Sequence, residues 1–159
     1  MTASRTPAPV ATGSGMTRAG GVLLDTCALI WLVNGQPMAR TAVDRIVAAG
    51  QAGILFVSPV SAWEIGMLSR PRAARPNPPV FLPDPKTWFA RVLARPGIRL
   101  TPLTPEIAVD ASFLPEPLHG DPADRLLIAS ARHLGAAIVT RDARIGDYAA
   151  IGHVSLISC

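Results

Sequence analysis

Apolar residues in this chain come in short runs that switch between a continuous and a helical pattern. Val22-Leu23-Leu24 is an unbroken apolar triplet ended by Asp25, and helical spacing resumes over Cys27 to Leu32. That pattern predicts a buried strand, a tight turn at Asp25-Thr26 and a helix. Asn34-Gly35-Gln36-Pro37 breaks it. A second helix is expected over Ala39 to Ala49, with Val43, Ile46 and Val47 on one face and Gly50 ending it. Ile54 to Val57 reads as a second strand, bulky and continuous like a parallel strand buried on both faces. Ser58-Pro59-Val60 then turns the chain into a third helix that begins at Ser61-Ala62-Trp63-Glu64 and reaches Leu68.

Residues 69–86 carry six prolines, at 71, 76, 78, 79, 83 and 85, which forbid a regular helix. Helical spacing returns over Trp88 to Leu93, and Ile98-Arg99-Leu100 is short and strand-like. Thr104-Pro105-Glu106 opens a helix to about Phe113, and Asp121-Pro122 opens a stronger one to Leu134, closed by Gly135. Ala137 to Thr140 reads as a strand ending at Arg141-Asp142, and His153 to Ile157 as a last strand. Strands alternating with helices predict an α/β fold of three layers, helices covering both faces of a central, mostly parallel sheet.

Composition narrows this picture. The 159 residues are 49% hydrophobic and 16% charged, one domain's worth with a sizeable core. Residues 1–20, rich in Thr, Ala, Pro and Gly, are expected to be a disordered tail, and residues 21–159 the single folded domain. That tail has no apolar segment of a secretory signal, and no run is long enough for a bilayer. Cys27 and Cys159 have no metal-ligand spacing and suit a reducing, cytoplasmic setting. The net charge of +4 and pI near 10.0 favour an anionic partner such as nucleic acid.

The candidate chemistry is acidic. Asp25 and Asp142 each end a strand, Glu64 follows the second strand, and Asp121 and Asp124 open a helix. Each has a structural explanation: Ser61 and Glu64 fit a capping box, and Asp121 before Pro122 is a good N-cap. Together they fall on the same edge of the predicted sheet, the carboxyl edge where ligands bind in open α/β folds. Two unit charges about 4 Å apart repel by roughly 4 kcal/mol at an effective dielectric near 20, so a cation is expected among them. Oxygen donors without a His/Cys cluster point to Mg²⁺, with Mn²⁺ as the other candidate, rather than zinc. Such an ion among carboxylates suits phosphodiester hydrolysis.

These segments resemble the PIN-domain ribonucleases, specifically the toxin half of VapBC-type toxin–antitoxin pairs. Leu23-Leu24-Asp25-Thr26 with Ala28-Leu29-Ile30-Trp31 is similar to that family's first motif, and Ser61-Ala62-Trp63-Glu64-Ile65 to its second. Asp121-Pro122-Ala123-Asp124-Arg125-Leu126-Leu127-Ile128-Ala129 is similar to the third, and Val139-Thr140-Arg141-Asp142 to the fourth. Any one of these is weak; four in order, spanning about Gly21 to Ile157, make the likeness specific. The resemblance implies a PIN-like fold and a Mg²⁺-dependent endoribonuclease, usually homodimeric and inhibited by a cognate antitoxin. It implies Asp25, Glu64, Asp124 and Asp142 as catalytic metal-site acids, with Asp121 either assisting the metal or only capping its helix. Thr26 and Thr140 are candidates to orient carboxylates or water, or simple caps. Cys27 departs from the pattern, since relatives commonly have His there; it reads as small packing filler.

Arg125 and Arg141 flank matched acids and are candidates to hold substrate phosphate, or else surface arginines paired with nearby acids. Arg70, Arg72 and Arg75 give the Pro-rich loop a basic face for RNA or an antitoxin segment, or a merely solvated one. Trp31, Trp63 and Trp88 are expected in the core. His119, His133 and His153 share no ligand spacing and are assigned no catalytic role. Leu32, Val33 and Val43 suit either a dimer patch or the core. Two rival enzyme classes fail on their own motifs. A haloacid-dehalogenase-like phosphatase needs a second Asp where Cys27 stands, and a receiver module needs an acidic pair and a central phosphoacceptor. A P-loop is absent. The remaining rival is a PIN-fold protein that binds RNA or antitoxin with little or no nuclease activity.

Overall fold

The computed structural model describes residues 20–159; the expected tail therefore lies, apart from Gly20, outside the described residues. In chain order the elements are β1 (Val22–Leu24), α1 (Thr26–Val33), α2 (Arg40–Gln51), β2 (Leu55–Val57), α3 (Pro59–Leu68), α4 (Pro85–Leu93), β3 (Ile98–Leu100), α5 (Pro105–Ser112), α6 (Pro122–Leu134), β4 (Ala137–Thr140), α7 (Ala143–Ala150) and β5 (Ser155–Ser158). The five strands form one sheet in the order β3-β2-β1-β4-β5, and every pairing is parallel.

Side-chain alternation on the central strands builds the three layers. Val22 and Leu24 of β1 join Leu55, Val57 and Val139 on one face, packed against Leu29, Ile46, Ile65 and Val92 of α1 to α4. Leu23 and Ile138 point the other way, onto Leu127, Ile128, Ile145 and Tyr148 of α6 and α7. Helix α5 packs on α6 through Ile107, Ala111 and Ala129. The chain leaves β1 toward β2 and β3, then returns to β4 on β1's other side. That reversal between β1 and β4 is the topological switch point, where the carboxyl ends of the strands leave a crevice.

Several local expectations are corrected. Helix α2 runs through Gly50 to Gln51, and the left-handed residue that follows it is Gly53, at φ +67°. Its buried face is Ala42, Ile46 and Ala49, while Val47 is exposed, so the stripe lies one residue off the one expected. Helix α3 starts two residues early because Ser58, not Ser61, caps it, its hydroxyl accepting the Val60 N–H at 3.1 Å. Helix α7 was not expected at all. Gly135 ends α6 at φ +60°, as its position implied. Trp88 packs edge-on to Phe81, 5.1 Å between ring centroids, but Trp63 is 59% exposed, contrary to a core role. No described helix is long and apolar enough to cross a membrane.

Candidate active site

At the β1/β4 switch point a cleft of about 350 Å³ is lined by Asp25, Glu64, Asp121, Asp124 and Asp142, with Thr26, Cys27, Trp31, Arg141 and Arg144 completing its wall. A larger, open depression of about 830 Å³ lies around Arg132, Gly135, His153 and Ser155, but no acid lines it.

The acids arrive there because all but Glu64 sit at the start of a helix following the sheet, and most serve that helix as well. Asp25 caps α1, its Oδ1 accepting the Ala28 N–H at 2.6 Å. Asp121 caps α6, Oδ1 accepting from Ala123 and Asp124 at 3.0 and 3.4 Å. Asp142 caps α7, Oδ1 accepting from the Arg144 amide at 2.8 Å. The capping and the functional readings of these residues are therefore compatible: one oxygen satisfies the helix end and the second is left for other partners. Glu64 stands in α3 beyond its first turn, so the expected capping box with Ser61 does not form. Ser61 is fully buried instead, with its Oγ 2.9 Å from Thr26 Oγ1, and Thr26 also bonds Glu64 Oε2. A hydroxyl has one proton and the carboxylate only accepts, so Thr26 donates to Glu64 and takes its second bond from Ser61. Thr140 plays the matching role across the cleft. Its hydroxyl bonds the Asp25 carboxylate and its Oγ1 accepts the Asp142 N–H at 2.9 Å.

Crowding and burial set the charges. Burial raises the Asp25 pKa, against the hydrogen bonds from Thr140 and Ala28. Burial likewise raises Glu64, with the Thr26 hydroxyl opposing and Asp121 and Asp25 adding. Asp124 is pushed up to about 7, first by burial, then by Asp121 and Asp142. Asp142 goes the other way, held below the usual carboxylate range by its hydrogen bonds to Arg144. Burial and then the four surrounding acids push the Cys27 thiol to about 11. Cys27 is exposed on the cleft wall rather than packed as filler, and at that pKa it stays a neutral thiol at pH 7.

Arg144 escaped the sequence reading, and His119, assigned no role by it, also stands beside the acids. Arg144 Nη2 lies 2.8 Å from Asp142 Oδ2 and 3.3 Å from Asp124 Oδ2, while its Nε donates to Asp142 Oδ1 at 3.2 Å. His119 Nε2 lies 3.4 Å from Asp124 Oδ2, and its Nδ1 accepts the Asp121 N–H at 3.4 Å. Asp142 followed by Ile145 and Tyr148 is an N-cap and an i, i+3 apolar pair, but two apolar residues are too few to announce the helix that carries Arg144. His119 lies in a loop, and no periodicity reveals it.

The two arginines singled out as phosphate contacts are engaged elsewhere. Arg125 is not on the cleft; its guanidinium donates to the carbonyls of Ala111, Ser112, Leu118 and His119, bracing the loop before α6. Arg141 does line the cleft, but it donates to the carbonyls of Pro37 and Cys159 and lies 4.2 Å over the Trp31 ring. Trp31 is therefore part cleft wall, part core. Leu32, Val33 and Val43 are partly buried, Leu32 and Val33 packing on the core. On the Pro-rich loop Arg72 and Arg75 form a small antiparallel bridge.

Among the described residues no three His, Cys, Asp or Glu side chains are already drawn to ligand spacing. The cleft nevertheless fits a hard divalent cation. Its donors are all oxygen, burial and then the neighbouring acids lift Asp124 to about 7, and an arginine occupies the gap between Asp124 and Asp142.

Comparison with known proteins agrees with this geometry. The PIN domain family model matches residues 22–151. The chain is 31% identical over 128 residues to Ribonuclease VapC22 of Mycobacterium tuberculosis (strain ATCC 25618 / H37Rv), an overlap of 80% of this chain and 91% of that protein. Among solved structures, VapBC2 from Rickettsia felis bound to a DNA fragment from their promoter aligns at TM-score 0.57 with 12% identity, over 86% of this chain and 97% of that one. FitAcB from Neisseria gonorrhoeae aligns at 0.51 with 16% identity, over 86% and 96%. At those identities the structures speak for the fold, which is the same one. With its matched sequence, all-parallel sheet and acid cleft at the switch point, the chain belongs to the PIN-domain family.

Proposed function

We propose that this protein is a divalent-metal-dependent endoribonuclease, the toxin of a type II toxin–antitoxin pair, using Mg²⁺ or Mn²⁺ to hydrolyse RNA phosphodiester bonds. The observation that carries the reading is the convergence of Asp25, Glu64, Asp124 and Asp142 from four separate chain segments on one cleft. The ribonuclease similar over most of its length supports the substrate class, and the VapBC neighbours support an antitoxin partner. A cytoplasmic homodimer neutralised by that antitoxin completes the proposal.

In it, Asp25, Glu64, Asp124 and Asp142 hold the cation, while Asp121 supports α6 at the rim. When bound, the cation neutralises charge on the phosphate and lowers the pKa of the attacking water. The chain's own part is preorganisation. Thr26 fixes Glu64, Thr140 fixes Asp25, and the helix caps prevent the acids from moving apart under their mutual repulsion. Arg141, tied to Pro37 and Cys159, keeps the Trp31 wall in place beside them.

The test is incubation of purified, antitoxin-free protein with total RNA and Mg²⁺ or Mn²⁺. Cleavage that disappears with chelator and in Asp25→Asn is the expected result. Equal cleavage by that variant would overturn the proposal, because a contaminating nuclease would then be its source.

A further inference from the structure

Three arginines stand at or beside the acid cleft, and they differ in what holds them. Arg125 and Arg141 are tied to backbone carbonyls. Among the described residues Arg144 is held by carboxylates alone: a fork onto Asp142, with the same Nη2 reaching Asp124. Its side chain is 55% exposed, whereas that of Asp124 is only 16% exposed.

Arg144 also has somewhere to move. It forms a wall shared by the acid cleft and an adjoining hollow of about 450 Å³ lined by Pro117, Leu118, Tyr148 and Ile151. Arg144 therefore borders open space on both sides. In its present position it competes with a cation for the same oxygens. A divalent ion ligates carboxylate oxygen at roughly 2.0–2.6 Å. Asp142 Oδ2 and Asp124 Oδ2 already face Arg144 Nη2, and two positive groups on one oxygen pair repel. A displaced guanidinium remains at the lip of the cleft, where its planar fork matches a phosphate.

We propose that Arg144 is an exchangeable counter-cation, clamping Asp124 and Asp142 while no divalent ion is bound and turning its guanidinium to the RNA phosphate once an ion takes those carboxylates. This rests on the metal-dependent nuclease reading above and adds to it a substrate contact and a barrier to metal entry. The clamp lets the protein keep its acids together without a metal, at the cost of weaker metal affinity.

The experiment is calorimetric titration of Mn²⁺ into the metal-free full chain, for wild type, Arg144→Gln and Arg144→Lys, with the KM for a short RNA measured in saturating Mn²⁺. Circular dichroism confirms that each variant is folded. Arg144→Gln should bind Mn²⁺ roughly two- to fivefold more tightly, the modest gain expected on removing a partly exposed ion pair. Arg144→Lys should also bind more tightly than wild type, because lysine keeps the charge but cannot form the fork. KM for RNA should rise in both, more in Arg144→Gln. The opposite signs, metal affinity up and RNA affinity down, are what a purely structural arginine would not give. Unchanged Mn²⁺ affinity in both variants overturns the clamp and leaves the nuclease reading standing. Tighter binding in Arg144→Gln alone reduces the effect to through-space charge and overturns it too. An unchanged KM overturns the transfer to phosphate. No Mn²⁺ binding by any of the three proteins removes the metal reading itself, and this proposal with it.

Discussion

Asp25 and Asp142 occupy the same local design on neighbouring strands, yet their carboxylates behave oppositely. Each follows a parallel strand, each caps the next helix with Oδ1, and β1 and β4 pair directly. Asp25 is buried, 8% exposed, faces a neutral hydroxyl and has its pKa raised. Asp142 keeps a 29% exposed side chain, grips Arg144 and has its pKa lowered. Identical secondary structure therefore says where an acid stands and nothing about its charge. Burial decides that for Asp25, and a guanidinium two residues along decides it for Asp142.

The largest effect expected from breaking this pair is at Asp25. Asparagine caps a helix about as well as aspartate, so Asp25→Asn keeps α1 and removes only the charge. RNA cleavage should fall roughly 10³-fold, the scale of several kcal/mol of lost charge stabilisation. Asp142→Asn should cost less, roughly ten- to a hundredfold, because its carboxylate is wetter and already shared with Arg144. A deeper loss at Asp142 than at Asp25 in the same RNA assay would invert the comparison.

Between the two stands Asp124, whose folded pKa of about 7 exceeds its ordinary 3.8. A raised carboxyl pKa means the neutral form is favoured in the fold. The stability it contributes is complete below about 3.8 and is lost as pH rises through about 7. Thermal melts in chelator should therefore lose several degrees across that window, and Asp124→Asn should flatten the loss. Asp142 has the opposite sign: its contribution is present above the ordinary carboxylate value and disappears only as the pH drops through its lowered one. A flat wild-type profile would remove the electrostatic account of the cleft.

Thr140 serves both acids, bonding Asp25 with its hydroxyl and accepting the Asp142 amide. Thr140→Val leaves that part-buried amide unpaired and should cost about 1–3 kcal/mol, a Tm drop of several degrees. Smallest is Arg141→Gln, which unties Pro37 and Cys159 and the Trp31 wall; about 1 kcal/mol is expected by denaturant melts. A larger loss there than at Thr140 would make Arg141, rather than the shared threonine, the link between the two caps.

The acids were legible because their signal is local. A carboxylate between an apolar run and a helix is written in consecutive residues, and four such places in order survive errors in the elements around them. The errors are instructive in the same terms. Ser61 and Glu64 satisfy a capping pattern, but Ser58 with Pro59 is a better helix start, and Ser61 is freed to join Thr26 in the interior. Val47 fits an apolar stripe one residue off the true one, because small Ala42 and Ala49 let α2 approach the sheet closely. Ala143 to Ala150 has only two large apolar residues, Ile145 and Tyr148, too few to announce a helix.

What consecutive residues dictate here is the alternation of strand and helix, the mostly parallel sheet it implies and the acids on its carboxyl edge. Those follow from periodicity and capping, which act over a few residues. What they leave open is decided by contacts between distant segments. Arg125 and Arg141 turn to carbonyls that a folded loop and the chain's end bring within reach, while Arg144 and His119 converge on Asp124. An arginine's partner is whichever acceptor the fold places at its fork, and burial, a property of the whole, sets whether an acid beside it keeps its charge.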